Sequence, residues 1–407
     1  MHAPRGCDVL VVGGGIIGLC LAYEIKRRHT DADVILIEKE SDWGRHASGR
    51  NSGVLHAGFY YSADSLKARF CREGNAFLTH FCREHGLRIN TCGKLVVAKT
   101  DSEIEGLKEL HRRGQKNGVQ LELISAAEAR AIEPRIKTCQ HALWSPTTSS
   151  VDPNEVVAAL AGEAKGLGVQ LINRCAYVER NRKGVETTQG YFQPKYLVNA
   201  AGLYADRIAK DHGFARQYRM LPFKGLYLYS MEPPGSLRTH VYPVPDLAFP
   251  FLGVHFTVTV EGKNKIGPTA TPALWREHYH GIENLNLIEM IQTLWTEGSL
   301  FLKANFNFRG LALEEVKKYS RHYLVKQAKF LLEGVRRRNF KEWGHPGIRA
   351  QLVDMNERKL VMDFCIQSDA QSLHVLNAVS PAFTCSMPFA RHVCDLIDQQ
   401  TCYSDPD

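Results

Sequence analysis

Hydrophobic and polar positions along this chain follow two rhythms. Near the N-terminus a continuous apolar run, Val9-Leu10-Val11-Val12, meets Gly13-Gly14-Gly15-Ile16-Ile17-Gly18 and resumes as Leu19 to Ile25. That order predicts a buried strand, a tight turn and a helix. A second apolar run, Val34-Ile35-Leu36-Ile37, ends in Glu38. Helical spacing recurs over Leu66 to His85 with Gly86 as its cap, over Ser102 to Asn117, over Ser125 to Ala131 behind a Ser125/Glu128 capping box, and from Pro153 to about Leu167. Leu95 to Ala98, Gly168 to Ile172 and Tyr196 to Asn199 read as strands, the last entering a glycine turn and another helix. Residues 220 to 275 change rhythm: Gly225 to Ser230 and Val254 to Val260 alternate or are β-branched between proline-rich turns, which predicts antiparallel strands. A basic helical region fills Asn284 to Arg338. The end returns to a strand (Leu373 to Ala378), a turn (Val379 to Thr384) and a helix from about Met387 to Ile397.

The pattern predicts an α/β fold in which a Rossmann-like nucleotide-binding domain (1–90, 145–215 and 340–400) is interleaved with a second, α+β substrate domain (91–144 and 216–339) containing a mostly antiparallel sheet. A chain of 407 residues supports two such cores, and 44% hydrophobic with 23% charged residues excludes a disordered or fibrous class. The net charge of +8 leans toward anionic partners. Eleven cysteines without a CxxC pair predict reduced thiols and no zinc site. No run reaches the ~18 to 20 apolar residues that span a bilayer. The expected location is cytoplasmic, with peripheral contact on the inner face of a membrane as an option.

The glycine turn carries the first chemistry. Gly13 suits a sharp turn, Gly15 a close approach of pyrophosphate, and Gly18 close helix–strand packing, with the anion on the helix N-terminus. Glu38, twenty residues after Gly18, is placed to accept hydrogen bonds from an adenosine ribose. These residues leave FAD and NAD both open. The stretch from Ser41 to Tyr61, rich in glycine and small polar residues, reads as an ordered functional loop.

Ten separate segments carry a resemblance: GGGIIGL, IEKE, GRNSGVLHAGFYY, SLKARFC, CGKLVVA, VNAAGLYADRI, YPVPD, FPFLGVHFT, GIRAQL and the turn from Asn377 to Thr384. In these the chain resembles L-2-hydroxyglutarate dehydrogenases/oxidases, members of the D-amino-acid-oxidase-like FAD superfamily. The resemblance implies FAD as cofactor, held by Gly13, Gly15, Ile16, Ile17, Gly18, Glu38, Lys39, Ser48, Gly49, Arg50, Asn51, Ser52, Val178, Ala201, Gly202, Ser380, Pro381, Ala382, Phe383 and Thr384. It implies oxidation of a small 2-hydroxy acid, L-2-hydroxyglutarate to 2-oxoglutarate, by hydride transfer to flavin N5. Arg349 matches the arginine that faces the substrate carboxylate, His255 is the expected base with His56 on the flavin side, and Lys224 is the expected partner of a distal carboxylate. The chain departs from the familiar members at Lys224-Gly225-Leu226 (Arg-Gly-Glu), Thr269 (Asn), Arg50 (His), Val379 (Pro) and Phe383 (Ala). Two alternatives stay open: an amine or amino-acid oxidase of the glycine-oxidase type, and a catalytically weak flavoprotein acting as a binding protein.

Tyr60, Tyr61 and Tyr242 are expected to pack, and His278-Tyr279-His280 to lie on the surface rather than bind metal. Lys317, Lys318, Arg321, Lys326, Lys329, Arg336 to Arg338 and Lys341 alternate with Leu324, Val325, Phe330, Leu331 and Leu332. Such a basic amphipathic stretch would suit an anionic membrane, where electrons pass to quinone or another acceptor. Nucleic acid is not an expected partner.

Overall fold

The computed structural model describes residues 4–62, 65–245, 253–304 and 308–401. The motif segments at 242–246 and 249–257 therefore lie partly outside the described residues. The chain forms two compact units, each assembled from separated stretches. The first takes residues 1–49, 153–222 and 349–407, and the second 50–152 and 223–348. Their exchange points fall at 49/50, 152/153, 222/223 and 348/349, so the loop from Arg50 onward and the helix Leu66–Glu84 lie in the second unit, not in the first as their sequence neighbourhood suggested.

The first unit is built on an eight-stranded sheet whose centre is parallel. Arg5–Val12 runs between Val34–Ile37 and Gly190–Asn199, flanked by Gln170–Ile172 on one side and Ser372–Asn377 on the other. Val9, Leu10, Val11 and Val12 are all buried, as a strand covered on both faces requires. The helix Ile16–Arg28 returns from it and packs on the helices Pro153–Gly166 and Ala382–Thr401. Because the central strands are parallel, their C-terminal ends share one edge. Gly13, Glu38, Ala200 and Ala378 each follow directly on one of those ends.

The last helix begins at Ala382, directly after Pro381, and not at Met387. Pro388 lies inside it, and the apolar face from Ala382 to Ile397 is buried and holds the helix on the unit.

The second unit contains a mixed eight-stranded sheet in which Lys94–Val97 lies parallel to His240–Pro243, followed by His255–Val258, Asn264–Gly267, Leu228–Ser230 and Phe340–Trp343. Side chains alternate across it. Leu95, Val97, Val241, Phe256, Val258 and Ile266 enter one apolar core together with Leu324, Val325, Leu331 and Leu332. Lys94, His240, Tyr242, His255, Thr257 and Lys265 alternate to the opposite face, and all are buried.

This register corrects the reading of residues 317 to 341. Leu324, Val325, Leu331 and Leu332 are spent on the unit's own core while Phe330 is exposed, and Lys318 is buried against Glu315 at 2.5 Å.

Candidate active site

In the first unit the glycine turn is shaped by close backbone contacts. Gly13 has φ +113°, and a Cβ there would stand 2.5 Å from the carbonyl oxygen of Ala200. At Gly18 a Cβ would overlap the carbonyl oxygen of Gly13 at 1.9 Å, so only glycine lets the helix sit this close to the strand. The Gly14 N–H donates to Glu38 Oε2 at 2.6 Å and the Glu40 N–H to Glu38 Oε1 at 2.9 Å. The buried carboxylate is thus fixed in plane, with a second lone pair left on each oxygen.

Ser48 Oγ accepts from the Ile16 N–H at 2.9 Å at the start of the helix. Gly49 closes the same loop, its N–H bonded to the carbonyls of Gly44 and His46. These residues fit the ADP end of a dinucleotide. Hydrogens instead of side chains sit over the N-terminus of the helix, and an oriented carboxylate stands at the end of the next strand.

Around that edge the unit also gathers Ala201, whose N–H donates to Asn199 Oδ1 at 3.1 Å, Gly202 at φ +53°, and the turn Ser380-Pro381-Ala382-Phe383-Thr384 that opens the last helix. Asn377 joins this turn to the strand Gly347–Asp354. Its Oδ1 accepts from the Leu352 N–H at 3.3 Å, and its Nδ2 donates to the carbonyls of Val361 and Asp363. On that strand Arg349, half-buried, donates from Nε and a terminal nitrogen to Gln351 Oε1 at 3.2 and 2.9 Å. Gln351 is itself pinned by the carbonyls of Leu352 and Val361, so the guanidinium is held in plane from behind. Lys39 turns to Glu40 at 2.5 Å and lies 5.6 Å above the Tyr204 ring.

Val178 does not join this group. It is 52% exposed on the outer strand Tyr177–Asn181, and the hairpin it belongs to pairs with Gly190 to Phe192, which reaches the N-terminal end of Arg5–Val12, opposite the glycine turn. The segment that does approach Glu38 is Arg174-Cys175, whose N–H groups donate to the carbonyls of Glu40 and Glu38 at 2.8 Å. No motif marks it in the sequence; only the register does.

The second unit holds the other candidates. Arg50 lies 4.3 Å above the Tyr279 ring and donates to the Pro346 carbonyl, while Asn51 Oδ1 and Ser52 Oγ accept from the N–H groups of Gly53 and Val54. These three side chains shape the loop. Tyr279 is buried and His278, half-buried, stacks on Trp275 at 3.9 Å, so of this trio only His280 is the exposed residue its sequence implied.

His255 Nδ1 lies 2.8 Å from the Gly253 carbonyl, which can only accept, so Nδ1 carries the proton and the neutral ring presents a bare Nε2. The ring stacks on Tyr242 at 3.7 Å and 20°. Burial pushes the His255 imidazole down to about 3, with the Lys94 ammonium adding to the effect against the Gly253 bond. His56 is lowered to about 3 in the same way, by burial first and then by Lys94 and His255. His240 is also held neutral, but its Nδ1 accepts from the Val258 N–H at 3.0 Å. It is occupied structurally, which singles out His255.

Lys94 lies behind these histidines and was missed as a site residue. It is fully buried, and its Nζ sits 4.6, 4.7 and 4.9 Å from the ring centroids of Phe59, Tyr60 and Tyr242. It has no hydrogen-bond partner among the described residues, and burial lowers it to about 7. A lysine heading an otherwise apolar strand was the available signal. Lys265 on the same face is lowered by burial to about 8.

Lys224, nearly buried and lowered by burial, is anchored through its backbone. Its carbonyl accepts from Thr269 Oγ1 at 3.1 Å and Thr271 Oγ1 at 3.2 Å, and Thr269 Oγ1 in turn accepts from the Leu226 N–H. Thr269, one of the departures noted above, thus fixes the bend that carries Lys224.

A family model described as FAD dependent oxidoreductase matches residues 8–396. The chain is 35% identical over 416 residues to the mitochondrial L-2-hydroxyglutarate dehydrogenase of Nematostella vectensis, covering 95% of this chain and 90% of that protein. It is 33% identical over 392 residues to L-2-hydroxyglutarate dehydrogenase of Escherichia coli K12, covering 95% and 92%. Among solved structures, an L-alpha-glycerophosphate oxidase from Mycoplasma pneumoniae with FAD bound superposes with a TM-score of 0.76 at 23% identity, covering 97% and 95%. A glycine oxidase from Geobacillus kaustophilus gives 0.72 at 19% identity, covering 98% and 97%. Both likenesses concern the fold.

Proposed function

The chain belongs to the family of FAD-dependent oxidoreductases, and from that premise we propose that it oxidises the 2-hydroxyl of L-2-hydroxyglutarate to give 2-oxoglutarate. The observation that carries the reading is His255, a neutral imidazole with a fixed tautomer and a bare Nε2 on a buried face that also holds Lys94, His240 and Lys265. Such a face suits a dianionic substrate whose alcohol must lose a proton.

In this reading Lys224 takes the distal carboxylate of the substrate. His255 Nε2 accepts the hydroxyl proton as the C2 hydrogen leaves with its electron pair. FAD, when bound, supplies the acceptor for that hydride. Glu38, Gly13 and Ser48 hold its ADP end. The electrons leave finally to an acceptor outside the chain, a quinone being the class a membrane-docked chain would meet.

The test is anaerobic flavin bleaching by a panel of acids. L-2-hydroxyglutarate should bleach the flavin fastest, with glycine, D-alanine, sarcosine and 2-hydroxy acids lacking the distal carboxylate slower by at least about tenfold. Equal or faster bleaching by an amino acid would overturn the substrate assignment.

A further inference from the structure

The bend that carries Lys224 is held from outside as well as from within. Within it, Lys224 pairs with Thr271 across two antiparallel strands, and the Lys224 carbonyl takes both threonine hydroxyls. The Thr269 N–H closes the bend by donating to the Leu226 carbonyl at 3.1 Å. The next N–H, that of Ala270, points the other way. It donates to Glu315 Oε2 at 2.7 Å, on the helix Phe308–Lys317. Glu315 Oε1 in turn accepts from Lys318 Nζ, and both side chains are buried although Leu313, Glu314, Val316 and Lys317 around them are exposed.

The far end of the same segment repeats the arrangement. The Arg276 N–H donates at 2.9 Å to Glu289 Oε2, a buried carboxylate on the helix Leu287–Lys303. Between the two anchors the Leu274 N–H donates to His278 Nδ1 at 3.2 Å. Burial, and after it the Lys224 ammonium, lowers the His278 imidazole, so this end of the segment faces Lys224 as well. A glutamate from each of two successive helices thus grips the main chain on either side of the stretch that borders Lys224.

Burying a glutamate–lysine pair costs desolvation that its own attraction only about repays, so the pair is a poor source of stability. What it supplies is a charged acceptor in a fixed place, and a charge-assisted N–H···O bond is about twice as strong as a neutral one. Lys224 is a compact charge on a flexible four-carbon stem, so where its ammonium goes depends on where its backbone is fixed. We propose that Glu315 is a positioning residue for substrate selection: by clamping the Ala270 N–H it sets the bend that aims Lys224 at a distal carboxylate. The proposal rests on the assignment of Lys224 to that carboxylate. An acid without the group gains nothing from the clamp.

FAD-loaded full-length protein is reduced anaerobically by L-2-hydroxyglutarate and by L-2-hydroxybutyrate, which lacks the distal carboxylate. The Kd of each acid is taken from the saturation of the reduction rate. Glu315→Asp keeps a charge for Lys318 but falls one methylene short of Ala270. It should raise the Kd of L-2-hydroxyglutarate about tenfold, with the limiting reduction rate and the Kd of L-2-hydroxybutyrate within about threefold of wild type. The double variant Glu315→Gln with Lys318→Met removes both charges but keeps an acceptor oxygen for Ala270, and should bind L-2-hydroxyglutarate within about threefold of wild type. An unchanged Kd in Glu315→Asp, an equal rise for both acids, or the same rise in the double variant would each overturn the proposal. Lys224→Met tests the assignment beneath it and should abolish the preference for the longer acid. Loss of that preference beside an unchanged Glu315→Asp overturns the clamp alone. A preference that survives in Lys224→Met overturns the Lys224 assignment and the clamp with it.

Discussion

The assignment of His255 as base makes a prediction about acid pH that runs against the usual expectation for histidine. An imidazole with the ordinary pKa near 6.5 is neutral in only ~3% of molecules at pH 5, which would cost about 30-fold in any rate that needs the base. Burial lowers His255 to about 3, so it stays almost wholly neutral at pH 5. Lys94, lowered to about 7, gains its proton within the same range, and its positive charge is one of the causes that hold the imidazole neutral. The second-order rate constant for anaerobic flavin reduction by L-2-hydroxyglutarate, followed by stopped flow from pH 8 to pH 5, should therefore change by less than about threefold. This constant reports groups of the free enzyme, the state the structure describes. An acid limb of unit slope with an apparent pKa near 6.5 would refute the placement of the base at His255.

The buried ammonium gives a second pH prediction, in stability. Unfolded, Lys94 holds its proton up to about 10.5; folded, it holds it only up to about 7. Unfolding thus takes up a proton between these values, and native stability falls as pH falls through that window, by an amount on the order of 5 kcal/mol when complete. Lys94→Met keeps the contacts with the three rings and removes this cost, so its melting temperature should exceed that of wild type by more at pH 7 than at pH 10. A difference independent of pH would show that Lys94 keeps its ordinary pKa in its cage and stays charged there. For the cofactor end, Glu38→Gln replaces one of two acceptor oxygens by a donor facing a backbone N–H, at a cost of ~1–3 kcal/mol. Flavin affinity, measured by fluorescence on release, should fall about 5- to 150-fold, and an unchanged dissociation constant would remove Glu38 from the cofactor site.

Most of the first unit was legible in the residues because its signals are local. A strand buried on both faces is a continuous apolar run, the glycines are forced by backbone contacts within the same turn, and the acid ends the adjacent strand. The Ser125/Glu128 capping box and the glycine ends of helices are local in the same sense, and they fall where the spacing put them. Local signals failed where a residue's role is set by a strand several positions away. Val178 fits an apolar strand position, yet the hairpin register places it at the far end of the sheet and leaves the contact with Glu38 to Arg174-Cys175.

What the sequence by itself determined, then, is the dinucleotide turn, its acid and the alternation of strands and helices, since each depends on neighbours within one or two elements. Tertiary structure decided which basic residues share a buried face. Lys94, His240 and His255 are far apart in the chain and meet only because a parallel and an antiparallel pairing bring three strands into register. It also decided which apolar stripe faces out. Leu324 and Leu331 look as ready for a membrane as Ile288 and Ile291, but the first pair is covered by the sheet and the second is not. Periodicity reveals that a helix has two faces; only packing reveals which of them the rest of the chain covers.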